Sequence, residues 1–210
     1  MLLLVPTYES QVATAKVHLI QSLVSRLLVI AIFDSYFVGL PQDRATELRN
    51  YEQYLYSITK DDGKVNQWRS TTLVLLRGFV EQLRPSTDAI VESIVRKINS
   101  IMDSISDADS SEVRDQTLRA LINSAIDLSR LLRVQKAVFK TIMPVIEGHQ
   151  INRFDAEIME DIGGEDEDSL EGREIRCVTF PGMIKEGNES GEQTQLRNVI
   201  AKARVLCTPD

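Results

Sequence analysis

The sequence predicts a mainly α protein, an antiparallel bundle of about five helices with a small C-terminal β-hairpin element. Three observations support this prediction. Through residues 1–150, apolar side chains recur at steps of three or four, which is the period of a helix. Two of these segments alternate strictly between steps of three and four, as in a heptad repeat. After Gly148 a period of two replaces the helical period, and that pattern is typical of strands.

Three helices are expected in the first 86 residues. The first, from about Tyr8 to Phe37, would bury one apolar row, which consists of Val12, Ala15, Leu19, Leu23, Leu27 and Ile30. The opposite row is polar and holds Gln11, Thr14, His18, Ser22 and Ser25. A second helix should start at the N-cap Asp43 and end at a DDG turn. A third should end before Pro85, because proline disfavours helix in the residue that precedes it.

The fourth and fifth helices are predicted to form an antiparallel hairpin within the bundle. In the fourth helix the heptad seam consists of Val91, Ile94, Ile98, Ile101 and Ile105. The fifth should run as far as Pro144, and its seam consists of Leu121, Ala125, Leu128, Leu132, Gln135, Phe139 and Ile142. A polar turn, SDADSSE, separates the two helices, with Asp109 or Ser110 expected as the cap.

A run of acidic residues follows the helices. Residues 155–174 hold ten acidic side chains and one basic one, which is a charge of −9 in a chain whose net charge is −7, so the rest is about +2. The run does not fit a calcium-binding EF-hand loop, because glycine stands at positions 3 and 12 where oxygen ligands are needed. We therefore interpret residues 151–173 as a self-repelling linker between residues 1–150 and a hairpin over residues 174–210.

Two β-like stretches, EIRCVTF and NVIAKARVLC, predict the hairpin. An isolated hairpin is marginally stable in water, so it should pack on the bundle or on a partner. Pairing of the two strands would bring Cys177 and Cys207 close together on one face. They are expected to be small apolar core residues, with a cross-strand thiol pair as the alternative.

Candidate interaction residues come from two charged segments. A basic stripe on the fifth helix, consisting of Arg130, Arg133, Lys136 and Lys140, could dock an acidic partner or the acidic run itself. The acidic tract consists of Glu165, Asp166, Glu167 and Asp168 and suits a basic partner. Ser169 lies in the acidic surroundings that some kinases favour, so it is a candidate phosphorylation site. The alternative for the stripe is an ordinary solvated helix face.

No catalytic, cofactor or metal site is indicated. His18 and His149 have no Ser, Cys or carboxylate at motif spacing, Cys177 and Cys207 are too far apart for a zinc motif, and phosphate-binding glycine loops are absent. We expect no cofactor and no nucleic acid, because the net charge is negative. Two cysteines and no signal-peptide pattern favour the cytoplasm, with the nucleus as an alternative, and argue against secretion.

The C-terminal third, MEDIGGEDEDSLEGREIRCVTFPGMIKEGNESGE with LRNVIAKARVLCTPD, resembles the C-terminal segments of uncharacterised proteins of filamentous fungi. That resemblance implies no activity and no functional residue. The sequence therefore predicts a non-enzymatic protein–protein interaction or scaffold module, with a protein partner or a second copy of the chain bound through helix faces, the acidic run or a hairpin edge. The alternative is a peripheral membrane module that uses the apolar N-terminal helix, which is disfavoured because interfacial helices carry Lys and Arg.

Overall fold

The computed structural model describes residues 16–105, 111–144, 152–164 and 167–208, and within these ranges the protein is a mixed α/β fold. The helices are α1 (Lys16–Leu28), α2 (Gln42–Thr59), α3 (Asp62–Arg77), α4 (Arg84–Ile105), α5 (Glu112–Arg133) and the short α6 (Glu167–Leu170). The strands are β1 (Val138–Ile142), β2 (Met159–Asp161), β3 (Ile175–Phe180), β4 (Gly182–Glu186), β5 (Arg197–Ala201) and β6 (Ala203–Cys207). They form two three-stranded sheets, so the prediction of a mainly α bundle with only a small hairpin is wrong.

The first helix changes its buried face at a π turn. α1 buries Leu19, Leu23 and Leu27 as predicted, and a π turn over Val29–Phe33 follows it directly. A π turn holds more residues than an α turn, so it rotates the following side chains around the axis. Ile32 is therefore buried, while Ile30, which was expected in the core, is 54% exposed. The polar row is also partly buried, because Ser22 and Ser25 face β3.

Helices α4 and α5 pack against each other, as the sequence predicted. The face of α5 that is buried against α4, however, is not the predicted heptad seam. In α4 the buried side chains are Thr87, Val91, Ile94, Val95, Ile98 and Ile105, which include most of the predicted seam. In α5 the core-facing residues are instead Ile122, Ile126, Ser129 and Arg130. The predicted seam residues Leu121 and Leu128 are exposed to solvent. The N-cap is Ser111, whose side chain accepts a hydrogen bond from the Arg114 amide.

The fifth helix ends eleven residues earlier than the sequence predicted, where side chains from α3 bind the carbonyl groups that directly follow it. The Arg69 guanidinium donates to the carbonyl oxygens of Gln135 at 2.9 Å and Lys136 at 2.8 Å. The Ser70 hydroxyl donates to the carbonyl of Val134 at 2.7 Å. With these carbonyls satisfied outside a helix, the chain leaves α5 after Arg133 and continues as β1.

The predicted pairing of the two C-terminal stretches exists, but as part of a larger structure. β3 and β4 form one arm of a long bent hairpin, and β5 and β6 form the other. One further strand joins each half: β1 pairs antiparallel with β4, and β2 pairs parallel with β6. The strand orders are therefore β1–β4–β5 and β2–β6–β3. β1 comes from the segment assigned to helix five, and β2 from the segment assigned to the linker.

The bend in the hairpin depends on Gly182. A Cβ atom at this position would lie 2.6 Å from the backbone nitrogen of Ala203 and 2.9 Å from the carbonyl oxygen of Ala201. These distances are well inside van der Waals contact, so the two arms cross here only because residue 182 has no side chain. On the opposite arm Lys202 alone separates β5 from β6.

The two sheets differ in what covers them. The β2–β6–β3 sheet packs on α1 and the π turn, and a cluster of buried apolar side chains lies between them, including Val29, Phe154, Leu170, Ile175, Val178 and Val205. The Ser25 hydroxyl fixes this contact by donating to the Thr179 carbonyl at 2.8 Å. The β1–β4–β5 sheet lies beside α2, α3 and the end of α5, and its strand β5 is uncovered. The predicted domain boundaries at residues 150 and 174 stay predictions, although strand pairing crosses both of them.

Candidate functional site

Strand β5 is an open edge of the β1–β4–β5 sheet. It pairs with β4 on one side, and no described strand pairs with its other side. All five residues from Arg197 to Ala201 are exposed, in contrast to every other strand of the described chain. An edge strand of this kind presents free backbone N–H and C=O groups in the geometry that accepts another strand.

The side chains along this edge are more apolar than a solvated strand requires. Leu196 is 50% exposed, Val199 39% and Ile200 56%. A β-bulge at Ile200, where the register with β4 shifts between Met183 and Ile184, twists one end of the edge. The straight part available to a partner is therefore the run from Leu196 to Val199, with Ile200 beside it. We call residues 196–200 the β5 edge.

The second feature is a cleft of about 400 Å³ where α2, α3, β1 and β4 meet. Its charged and phenolic lining residues are Tyr36, Arg49, Glu52, Tyr56, Asp62, Arg69, Arg133, Lys140 and Glu186. We call it the arginine cleft, after Arg49, Arg69 and Arg133. Its volume is in the range of small-molecule pockets, and most of the residues that line it are charged or phenolic.

Two of the three arginines of the cleft, Arg69 and Arg133, are held by backbone carbonyl groups. Arg69 is buried and donates to the carbonyls after α5. Arg133 donates to the Phe33 carbonyl at 2.7 Å. Burial lowers the pKa of Arg133, and the nearby positive charges of Arg69 and Arg49 lower it further. Three guanidinium groups therefore repel one another in one partly dehydrated space.

Most acidic groups of the cleft are already engaged. Glu186 is almost fully buried and lies between Lys140, at 2.6 Å, and Arg197, at 3.2 Å. Asp62 accepts a hydrogen bond from the Thr194 hydroxyl. Glu52 is the remaining acid, and it faces Tyr36. Burial raises the pKa of the Tyr36 hydroxyl, and the Glu52 carboxylate raises it further.

The predicted basic stripe does not form one surface. Arg130 is buried and donates to the Val38 carbonyl at 2.9 Å and to the Thr87 hydroxyl at 2.7 Å. Burial lowers its pKa. Arg133 faces the arginine cleft, while Lys136 and Lys140 lie beyond the end of α5, where Lys140 pairs with Glu186. The prediction of a stripe required one continuous helix through all four residues. Arg130 and Arg133 lie in α5, whereas Lys136 follows the helix and Lys140 lies in β1.

The acidic tract is only partly described. Glu165 and Asp166 lie outside the described residues, Glu167 and Asp168 begin α6, and a docking role for the tract stays a prediction. Ser169 is exposed in α6, next to the buried Leu170, and its phosphorylation likewise stays a prediction. Cys177 and Cys207 are buried, and no disulfide joins them. Burial raises the pKa of the Cys177 thiol to about 11.

Sequence reasoning missed Tyr36, Arg49, Glu52 and Arg69. They come from three separate segments, and their spacing along the chain forms no motif. The described residues contain no group of three His, Cys, Asp or Glu side chains that could hold a metal ion. The stretch Lys16–Phe33 is long and apolar enough to cross a membrane by length and composition alone, a property that the buried helix of a water-soluble core also has.

The described chain thus defines a mixed α/β protein with an open sheet edge and a polar cleft, and without a recognisable catalytic constellation. It is 26% identical over 189 residues to Leashin from Aspergillus fumigatus. The similarity covers 83% of this chain, well beyond the C-terminal third that suggested a fungal relationship, but only 3% of Leashin. No family model matches the chain. No solved structure matches it either.

Proposed function

We propose that this protein is a non-enzymatic protein–protein interaction or scaffold module, and that it binds an extended segment of a partner protein at the β5 edge. The observation that supports this proposal is that all five residues of β5 are exposed, at a sheet edge with which no described strand pairs. Strand addition would satisfy backbone groups that otherwise depend on water. It would also cover Leu196, Val199 and Ile200.

The helix seam is a weaker basis for the same function. The apolar rows of α4 and α5 that face each other are used in the core of this chain. What remains on α5 is a row of partly exposed leucines, including Leu121, Leu128 and Leu131. This row offers side chains without free backbone groups, so it provides a matched comparison for the edge.

The proposal is tested by affinity capture from native cell extract with three forms of the full chain. These are the wild type, the double variant Val199→Asp/Ile200→Asp, and Leu128→Asp as the control. Charges at the centre of a strand-addition interface should weaken binding by about tenfold or more. We expect a protein that is recovered in stoichiometric amount by the wild type and Leu128→Asp, and that is lost by the double variant.

Hydrogen exchange on the recovered complex then locates the contact. Strand addition should slow exchange of the amides of β5, because they become hydrogen bonded. Loss of the partner on Leu128→Asp, with no effect of the double variant, would contradict the β5 edge. If the chain assembles with itself, the same experiment recovers no protein other than this one. The partner at the β5 edge would then be a second copy of the chain.

We favour the interaction module over a peripheral membrane module. Membrane binding through the first helix needs an apolar face that is exposed to solvent. In α1, however, Leu19 and Leu23 are buried against Ile105, and the helix packs on β3. Flotation with anionic liposomes should therefore leave the protein in solution. We place the module in a reducing compartment, the cytoplasm or the nucleus, which is supported by two buried cysteines that form no disulfide with each other.

A further inference from the structure

We propose that the arginine cleft is a binding site for a compact oxyanion, namely a carboxylate or phosphate group of a small molecule. This site is separate from the β5 edge and goes beyond the proposed interaction function. Three features of the cleft lead to it: an excess of guanidinium groups, a buried donor that lacks an acceptor among the described atoms, and arginines that are already held in place.

The residues that line the cleft include four cations and three acids, namely Arg49, Arg69, Arg133 and Lys140 against Glu52, Asp62 and Glu186. Glu186 is already paired with Lys140 and with Arg197. Two lining acids, Glu52 and Asp62, therefore face three arginines, and Asp34 is a further carboxylate that raises the pKa of Arg133. An oxyanion would remove the mutual repulsion that, together with burial, lowers the pKa of Arg133. Guanidinium groups match carboxylate and phosphate because they donate two parallel hydrogen bonds.

One buried donor of the cleft lacks an acceptor among the described atoms. It is the Nε atom of Arg69, a side chain that is only 5% exposed. The Tyr36 hydroxyl, on a side chain that is 6% exposed, faces the Glu52 carboxylate, which raises its pKa, so an acceptor for it lies within the chain. An unsatisfied buried donor is costly, so the Arg69 Nε atom indicates an acceptor that enters from outside the chain.

The donors are also preorganised. Arg69 and Arg133 are anchored by hydrogen bonds to backbone carbonyl groups, so an entering anion need not order them. Arg49 is exposed on α2 and lies with its guanidinium carbon 5.9 Å from the centre of the Tyr36 ring. Arg49 can therefore be changed without removing a structural hydrogen bond.

Isothermal titration calorimetry on the full chain at low ionic strength tests the site. The probes are inorganic phosphate and succinate, titrated in parallel, and the tighter probe distinguishes a phosphate ligand from a carboxylate ligand. We expect saturable binding of at least one. Arg49→Gln should weaken it about tenfold, the usual effect of losing a charge-assisted hydrogen bond. Glu52→Gln should strengthen it several-fold, because the competing carboxylate is lost.

Arg44→Gln is the matched control, since it removes the same charge from the same helix, where Arg44 pairs with Glu47 outside the cleft. Its affinity for the probe should equal that of the wild type. No saturable binding up to about 10 mM of either probe overturns the proposal. Equal weakening by Arg49→Gln and Arg44→Gln overturns it as well, because the effect would then be general charge screening. Weaker binding by Glu52→Gln would place the anion elsewhere and also overturn it.

Discussion

The two halves of the bent hairpin have similar sequences but opposite environments. In β6 the residues Ala203, Val205 and Cys207 are buried, whereas in β5 all residues from Arg197 to Ala201 are exposed. Both strands carry alternating apolar side chains and are separated by the single residue Lys202. β6 is the central strand of its sheet, with α1 beside its neighbour β3, while β5 is an edge. Burial here is decided by what packs against a strand and not by the strand's own pattern.

The difference between β5 and β6 is tested most directly by introducing an aspartate into each strand. Val205→Asp buries an unpaired carboxylate at a side chain that is 0% exposed and should destabilise the fold by at least about 4 kcal/mol. Val199→Asp, on the exposed strand, should change the free energy of unfolding by about 0.5 kcal/mol or less. Urea denaturation followed by circular dichroism measures both.

If Val205→Asp fails to fold, Val205→Ala serves in its place. Loss of two methyl groups from the core should cost about 2 kcal/mol, and Val199→Ala should again be nearly neutral. Similar losses for the alanine variants of the two strands would mean that β5 is as buried as β6, which would remove the basis for an open edge.

The next largest effect is expected at the bend that joins the two halves. Gly182→Ala would push a methyl group against the backbone of Ala201 and Ala203 and should lower the free energy of unfolding by about 2 to 3 kcal/mol. Gly164→Ala is a useful reference, because no atom lies within 4 Å of a Cβ there. The positive φ of Gly164 still carries a cost of about 1 kcal/mol. Equal thermal shifts for the two variants would show that the arms do not cross closely at Gly182.

The last effect depends on pH and concerns the buried thiol of β3. The pKa of Cys177 is raised to about 11, whereas an unfolded thiol ionises near 8.5. Between these values the unfolded chain releases a proton that the folded chain keeps. The free energy of unfolding should therefore fall as pH rises from about 8.5 to 11, by at most about 1.4 kcal/mol per pH unit. Cys177→Ala should remove this part of the slope, and identical slopes for wild type and variant would refute it.

The buried face of a helix was predictable where the helix has only one apolar row. In α4 the row from Val91 to Ile105 is the dominant apolar face, and it is buried. α5 has two apolar rows, one with Leu121 and Leu128 and another with Ile122 and Ile126, and periodicity alone does not select between them. The end of α5 depended on hydrogen bonds from Arg69 and Ser70, which are more than sixty residues away in the sequence.

The candidate sites differ in the same way. The strand that forms the β5 edge was visible in the sequence as an alternating segment, although its exposure was not. The arginine cleft was invisible, because its residues belong to different elements and become neighbours only when α2, α3 and β4 pack together. Arg69 in particular looks in the sequence like one more surface cation of a helix, and its burial comes from the chain that turns after α5.

The π turn at Val29–Phe33 has a consequence for comparing this chain with its relatives. The turn accommodates one residue more than an α-helix of the same length along its axis. Removing the exposed Ile30 would place Ile32 four positions after Leu27 in an unbroken helix, with both side chains still facing the core. A relative without the turn should therefore lack one residue between Leu28 and Asp34. An ungapped alignment through this segment would match buried positions to exposed ones on one side of the turn.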